Sequence, residues 1–139
     1  MTLKEFVRKY NGTKIDYDKA YGAQCVDVFR QYCADVLKIE HTGGVNGAKD
    51  LFLNYFKMPL EQKYFLQLKA NAKFKMGDVL VWNATAANQY GHVALLLAEM
   101  SGDFVVFEQN GAKQDGAKIV LRTRENLLGA LRFSNGGGK

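Results

Sequence analysis

Only two of the 139 residues are cysteine, too few for a disulfide framework, so the fold must be held by burial. Cys25 and Cys33 cannot easily bond to each other. On one helix their spacing is about 12 Å, whereas a disulfide needs Cα atoms within about 7 Å. Two free thiols are expected, with Cys33 as a small core residue. No apolar run is long enough to span a membrane, and the opening "MTLKEFVRKY" lacks the apolar stretch of a secretory leader. Synthesis in the cytoplasm without a signal peptide, and no membrane insertion, are therefore expected. Arg/Lys runs and a basic tail are missing too. The net charge of +5 comes from 19 basic and 14 acidic residues, and the excess is spread over both halves. It reads as a solvated basic surface, or as weak attraction to a polyanion such as nucleic acid or an anionic wall. Without a basic stripe, a stacking platform or a known motif, nucleic-acid binding is not expected. No internal repeat is present, and the length fits one domain.

Hydrophobic residues make up 47% of the chain, enough for a core, and their spacing changes character along it. "TLKEFVRKYNG" predicts a short amphipathic helix capped by Thr2 with Glu5 in the capping-box position, ended by Asn11-Gly12. "CVDVFRQYCADVL" predicts a second helix, with Cys25, Val28, Phe29, Tyr32, Cys33 and Val36 at helical spacing. "AKDLFLNYF" predicts a third, closed before Pro59. Six β-rich runs follow: "KYFLQL", "GDVLVWN", "GHVALLLAEM", "DFVVFEQN", "AKIVLRT" and "GALRF", with a tight turn at "MSGD". Helices first and strands afterwards predict an α+β domain with an antiparallel sheet. The nearly all-apolar third strand predicts a central position with both faces covered. Residues 136–139 read as a flexible tail or the start of a linker, leaving 1–135 as the folded unit.

Cys25 falls at the start of the second helix, where unpaired N–H groups and the helix dipole favour a thiolate and could stabilise an oxyanion. A cysteine on a helix is more often core than nucleophile, so this position alone is a weak signal. Of the two histidines, His41 in "EHTGG" reads as a surface-loop residue with no catalytic role. His92 begins the strand "GHVALLL". If that strand forms a hairpin with "VVFEQN", then Glu108 and Asn110 fall beside it, two residues apart and so on one strand face. A base with a polar orienting residue is what a Cys–His nucleophilic site requires.

"YGAQCVD", "GDVLVW", "YGHVALL" and "FEQN", in that order, resemble the CHAP family (cysteine, histidine-dependent amidohydrolases/peptidases), over about Leu3 to Phe133. The peptidoglycan-cleaving CHAP domains of bacteriophage endolysins and tail-associated lysins are the nearest in kind. The resemblance implies a papain-like α+β fold, with N-terminal helices packed on a roughly six-stranded antiparallel sheet. It implies Cys25 as nucleophile, His92 as general base, Glu108 as the residue orienting the imidazole, and Asn110 as a further polar member. The Cys25 N–H, with or without Gln24, would form the oxyanion hole; a capping or packing role fits Gln24 equally well. Trp82 and Tyr90 are expected either in the substrate groove or in the core. Implied too are a peptidoglycan partner, production in a host cytoplasm with action on the wall, a monomer, and a further wall-binding module beyond the tail. An endopeptidase is expected, with an N-acetylmuramoyl-L-alanine amidase or a non-enzymatic wall-binding module as alternatives.

Asp16, Asp18 and Asp27 flank the loop ahead of Cys25. Singly they could be turn formers or a helix first-turn acid. Some phage CHAP domains bind calcium here. By that resemblance Asp16, Asp18 and Asp27 would supply carboxylates, and Ala20 and Gly22 backbone carbonyls, to a hard cation with six or more oxygen ligands. The loop lacks the terminal glutamate of an EF-hand.

Overall fold

A computed structural model describes residues 1–19, 24–41, 45–110 and 115–134. The helices come first: α1 (Leu3–Tyr10), α2 (Cys25–Tyr32), α3 (Asp50–Leu53) and α4 (Pro59–Tyr64). Six strands follow: β1 (Phe65–Lys69), β2 (Val79–Trp82), β3 (His92–Met100), β4 (Asp103–Gln109), β5 (Ala117–Arg122) and β6 (Leu127–Phe133). They form one sheet in the order β1-β6-β2-β3-β4-β5, every neighbouring pair antiparallel. The fold is α+β, helices packed on a six-stranded antiparallel sheet. Among the described residues no helix is long and apolar enough to cross a membrane.

α1 begins with the expected reciprocal cap. The Glu5 N–H donates to Thr2 Oγ1 at 3.1 Å, and the Thr2 N–H to Glu5 Oε1 at 2.8 Å. α2 stops being α-helical at Tyr32; Cys33–Leu37 continues as a π-helical turn that ends at Lys38 in the left-handed region. The expected third helix is corrected. Only Asp50–Leu53 is α-helical, a 3-10 turn follows at Tyr55–Lys57, and Pro59 starts α4 rather than closing the segment before it. Proline at the first helical position loses no intrahelical bond, so it opens a helix as readily as it ends one. Lys63 and Tyr64, expected in a strand, therefore belong to α4.

Strand alternation divides the apolar side chains into two layers. Val79, Val81, Val93, Leu95 and Phe107 pack with Phe6, Val28, Phe29, Tyr32 and Cys33 on the helical side. Leu80, Trp82, Ala94, Leu96, Phe104 and Val106 form a second cluster on the other face of the sheet. β3 is buried on both faces from His92 to Leu96, as expected of a central strand, but Ala98, Glu99 and Met100 are exposed. Beyond the bulge at Leu97, β3 and β4 run out as a hairpin, closed by Ser101 and Gly102 at positive φ, 49° and 89°. That turn matches the right-handed twist of the flanking strands.

Candidate active site

Three elements meet where α2 begins. Cys25 is its first residue, half-buried, and Gln24 before it is extended. The turn is held from two sides. The Asp27 carboxylate accepts the Gln24 N–H at 2.9 Å. From β4, the fully buried Gln109 amide donates to the Gln24 carbonyl at 2.9 Å and to the Ile15 carbonyl at 2.7 Å, and accepts the Ile15 N–H at 2.7 Å. One side chain thus joins both ends of the loop that leads to the cysteine. Cys33 is wholly buried in the helical-side core, and burial, with Glu61 nearby, raises its thiol pKa.

His92 is the first residue of β3, placed by an unusual approach. Gly91 has φ +73°, and a Cβ there would sit 2.5 Å from the Trp82 carbonyl oxygen and 2.8 Å from Lys49 Cβ. Only glycine can make that turn, and it sets His92 opposite Trp82, with the two rings 6.0 Å apart. His92 Nε2 and Glu108 Oε1 are 2.9 Å apart, so the expected hairpin does bring these side chains together. Nδ1 is buried with no partner at full hydrogen-bond geometry, and the Cys25 thiol is close enough to act on the ring. Burial, the largest single influence, pushes the imidazole pKa down. The hydrogen bonds and negative charges of Cys25 and Glu108 outweigh it and lift the pKa to about 9. Glu108 is 1% exposed. Burial raises its pKa, but hydrogen bonds and charge from Arg122 and His92 bring it down to about 2, so it is anionic.

Asn110 lies one residue beyond β4 and takes a left-handed φ of 56°. Strand alternation, on which its sharing a face with Glu108 was expected, therefore ends before it. His41 is half-buried, its ring edge-on to Tyr17 at 5.5 Å, rather than a freely exposed loop residue. Two residues at the site were not foreseen, Gln109 and Arg122. Arg122 on β5 donates Nε to Glu108 Oε1 at 2.6 Å and Nη2 to Oε2 at 2.7 Å.

Beside His92 opens a cleft of about 410 Å³, walled by Trp82, Asn83, Asn88, Arg122 and Asn126. Trp82 packs in the core and also borders the cleft. It is 6% exposed in the second core cluster, with its indole N–H on the Thr123 carbonyl, and one edge reaches the cleft. Tyr90 is 56% exposed and does not line the cleft.

The acidic cluster lies at the other end of the Gln109 brace. One carboxylate oxygen from each of Asp16, Asp18 and Asp27 falls within 4.8 Å of the others. Arg30 reaches Asp18 at 2.9 Å and Asp27 at 3.6 Å, a guanidinium beside a group of three carboxylates. Burial above all, and then the charges of Asp18 and Asp16, hold the Asp27 carboxyl above its ordinary range against the Gln24 hydrogen bond. Asp16 Oδ1 is buried with no hydrogen-bond partner. A divalent, oxygen-seeking cation fits these residues. Ala20 and Gly22, the expected carbonyl ligands, lie outside the described residues.

The CHAP domain family model matches residues 13–110, and the chain belongs to that family. No curated protein matches it. Among solved structures it is similar to that of a wild-type endolysin, LysIME-EF1: TM-score 0.74, 23% identity, over 95% of this chain and 64% of that one. Ly7917 is also similar, with TM-score 0.65 and 18% identity over 96% of this chain and 62% of that one. The same protein solved with the hydrolyzing product of MDP aligns equally well. This chain spans less than two thirds of the length of these relatives, and at such identities what is shared is the fold.

Proposed function

We propose that this chain is a peptidoglycan hydrolase that cleaves an amide bond of the bacterial cell wall through a cysteine nucleophile. The observation that carries the reading is the buried His92–Glu108 pair beside the helix start that bears Cys25, in a chain of the CHAP family. Endolysins among the proteins of similar fold support the choice of substrate.

In this reading the Cys25 proton passes to His92 Nδ1, the ring nitrogen that Glu108 leaves open. The thiolate attacks the amide carbonyl, and the oxyanion is received by N–H groups at the start of α2, with Gln24 beside it. The imidazolium, held against the anionic Glu108, gives its proton to the leaving amine, and a thioester forms on Cys25. Water then loses a proton to His92 and attacks the thioester; the wall acid leaves and the thiol is restored. Glu108 keeps the imidazole oriented and stabilises its charge, and Asn110 stands at the end of the same strand as a further polar member. The cleft along Trp82 receives the substrate flank. Tyr90, on the open surface, is a contact for longer wall fragments.

Calcium held by Asp16, Asp18 and Asp27, with the Ala20 and Gly22 carbonyls, would supply charge neutralisation and order to the loop. The reacting groups are all protein side chains. We favour an endopeptidase; an N-acetylmuramoyl-L-alanine amidase would use the same groups on a different amide. The domain acts on the wall as a monomer, alone or joined to a wall-binding module. Turbidity of a purified cell-wall suspension tests this directly. Wild type should clear it and Cys25→Ala should not; equal clearing by both would remove the cysteine from the mechanism.

A further inference from the structure

We infer that Arg122 is a positioning residue for the proposed hydrolysis, a clamp that fixes the Glu108 carboxylate against His92. The inference rests on the reading of Cys25, His92 and Glu108 as the reacting set.

Glu108 is buried, and a buried carboxylate without close partners is costly. It has three donors. His92 Nε2 and Arg122 Nε share Oε1, at 2.9 and 2.6 Å, and Arg122 Nη2 takes Oε2 at 2.7 Å. A guanidinium bound through two parallel N–H groups fixes the plane of a carboxylate as well as its place, which an ammonium cannot do. Because Oε1 is shared, any rotation of Glu108 that released His92 would also break the Arg122 fork. The chain of contacts runs from Cys25 on α2 to His92 on β3, Glu108 on β4 and Arg122 on β5. Among the described residues the ionisable groups that act on His92 are Cys25 and Glu108; Trp82, facing it from β2, carries no charge. Strand register would have chosen another partner. Lys118 lies directly opposite Glu108, yet its ammonium pairs with Asp115 at 2.8 Å.

Arg122 also borders the cleft and is about one third exposed, which would suit a residue that binds an anionic group on the substrate. Against that role, its charge is already met by Glu108 through both nitrogens that point there. A clamp and a substrate contact predict different kinetics.

The test is a double-mutant cycle on soluble fragments of purified peptidoglycan, with Arg122→Met, Arg122→Lys, Glu108→Gln and Glu108→Gln/Arg122→Met. NMR of the His92 ring N–H proton in each folded variant accompanies it. Arg122→Met should lower kcat about tenfold or more with KM unchanged, and Arg122→Lys should recover part of the loss. In the Glu108→Gln background, Arg122→Met should change kcat by less than about twofold, since nothing is left to clamp. The slowly exchanging His92 proton should be present in wild type, kept in Arg122→Lys and lost in Arg122→Met. An equal loss in both backgrounds, or a rise in KM alone, would overturn the clamp in favour of substrate contact. A lower melting temperature with kcat and the proton signal unchanged would leave Arg122 merely structural and also overturn it. If wild type releases nothing from peptidoglycan, the hydrolase reading fails, and the ring proton alone decides whether Arg122 holds Glu108 to His92.

Discussion

At the scale of single residues, the two cysteines have opposite surroundings. Cys25 is half-exposed at a helix start and acts on an imidazole; Cys33 is sealed in the core. Cys25→Ala should lower wall lysis by at least about three orders of magnitude with an unchanged circular dichroism spectrum. Cys33→Ala should keep activity per folded molecule and cost about 1 kcal/mol in denaturant unfolding. Loss of lysis in a folded Cys33→Ala alone would reverse the assignment. The charged pair also sets the response to pH. Glu108 falls from an ordinary 4.5 to about 2 on folding, so its contribution is complete above pH 4.5 and lost as pH falls toward 2. The stability gap between wild type and Glu108→Gln should close over that interval. His92 rises from 6.5 to about 9, so its contribution is complete below 6.5 and lost as pH climbs through 9. Activity should decline on the same alkaline limb, where the leaving amine loses its acid. A flat pH–rate profile across pH 9 would contradict this role. The pairing of His92 with Glu108 was legible because a hairpin with a short turn makes their meeting a local event. Arg122 was not, because the contact depends on side-chain reach along a third strand: Arg122 is opposite Phe104, and Lys118 is the register partner of Glu108.

Among the elements, β4 holds Ile15 and Gln24, the two residues on either side of the acidic segment, through one side chain. Gln109 ties the two together from inside the sheet. Gln109→Ala would strand the Ile15 N–H and two carbonyls, at about 1–3 kcal/mol for each buried group left unpaired. It should lower the melting temperature and slow lysis even though no reacting group is changed; an unaltered melting temperature would show that the loop closes without it. The acidic cluster makes a second demand on the same segment. Chelator should lower the melting temperature and lysis, added calcium should restore both, and Asp16→Ala should behave as chelated protein in both assays. If melting and lysis ignore chelator, the cluster needs no cation and the calcium reading fails. Helices and strands were legible wherever one periodicity ran long enough, as in α1, α2 and β2 to β5. The stretch from Asp50 to Tyr64 was not: Asn54 and Pro59 divide it into pieces too short for a period to declare itself, and tertiary packing of Leu51, Tyr55 and Met58 decides their form. At the end of β4 the strand was read one residue too far, to Asn110, for a related reason. The positive φ of that residue ends the strand one residue earlier than alternation extends it.

For the whole molecule, the helical layer and the sheet divide the chemistry between them. In the proposed reaction α2 contributes the thiol, and the sheet contributes the imidazole, its carboxylate and the arginine behind it. The α+β order was legible because every helix precedes every strand in the chain. The cleft was not, since it forms from loops that follow β2 and β5, distant in sequence. A basic surface of net charge +5 suits approach to an anionic wall. The central claim is that this domain cuts an amide of peptidoglycan through Cys25, and mass spectrometry of the soluble products of purified peptidoglycan tests it most directly. Wild type should release fragments that each gain one water across an amide bond, giving a new amine and a new carboxylate, and Cys25→Ala should release none. Fragments with new reducing sugar ends and intact amides, or the same amide products from Cys25→Ala, would contradict it.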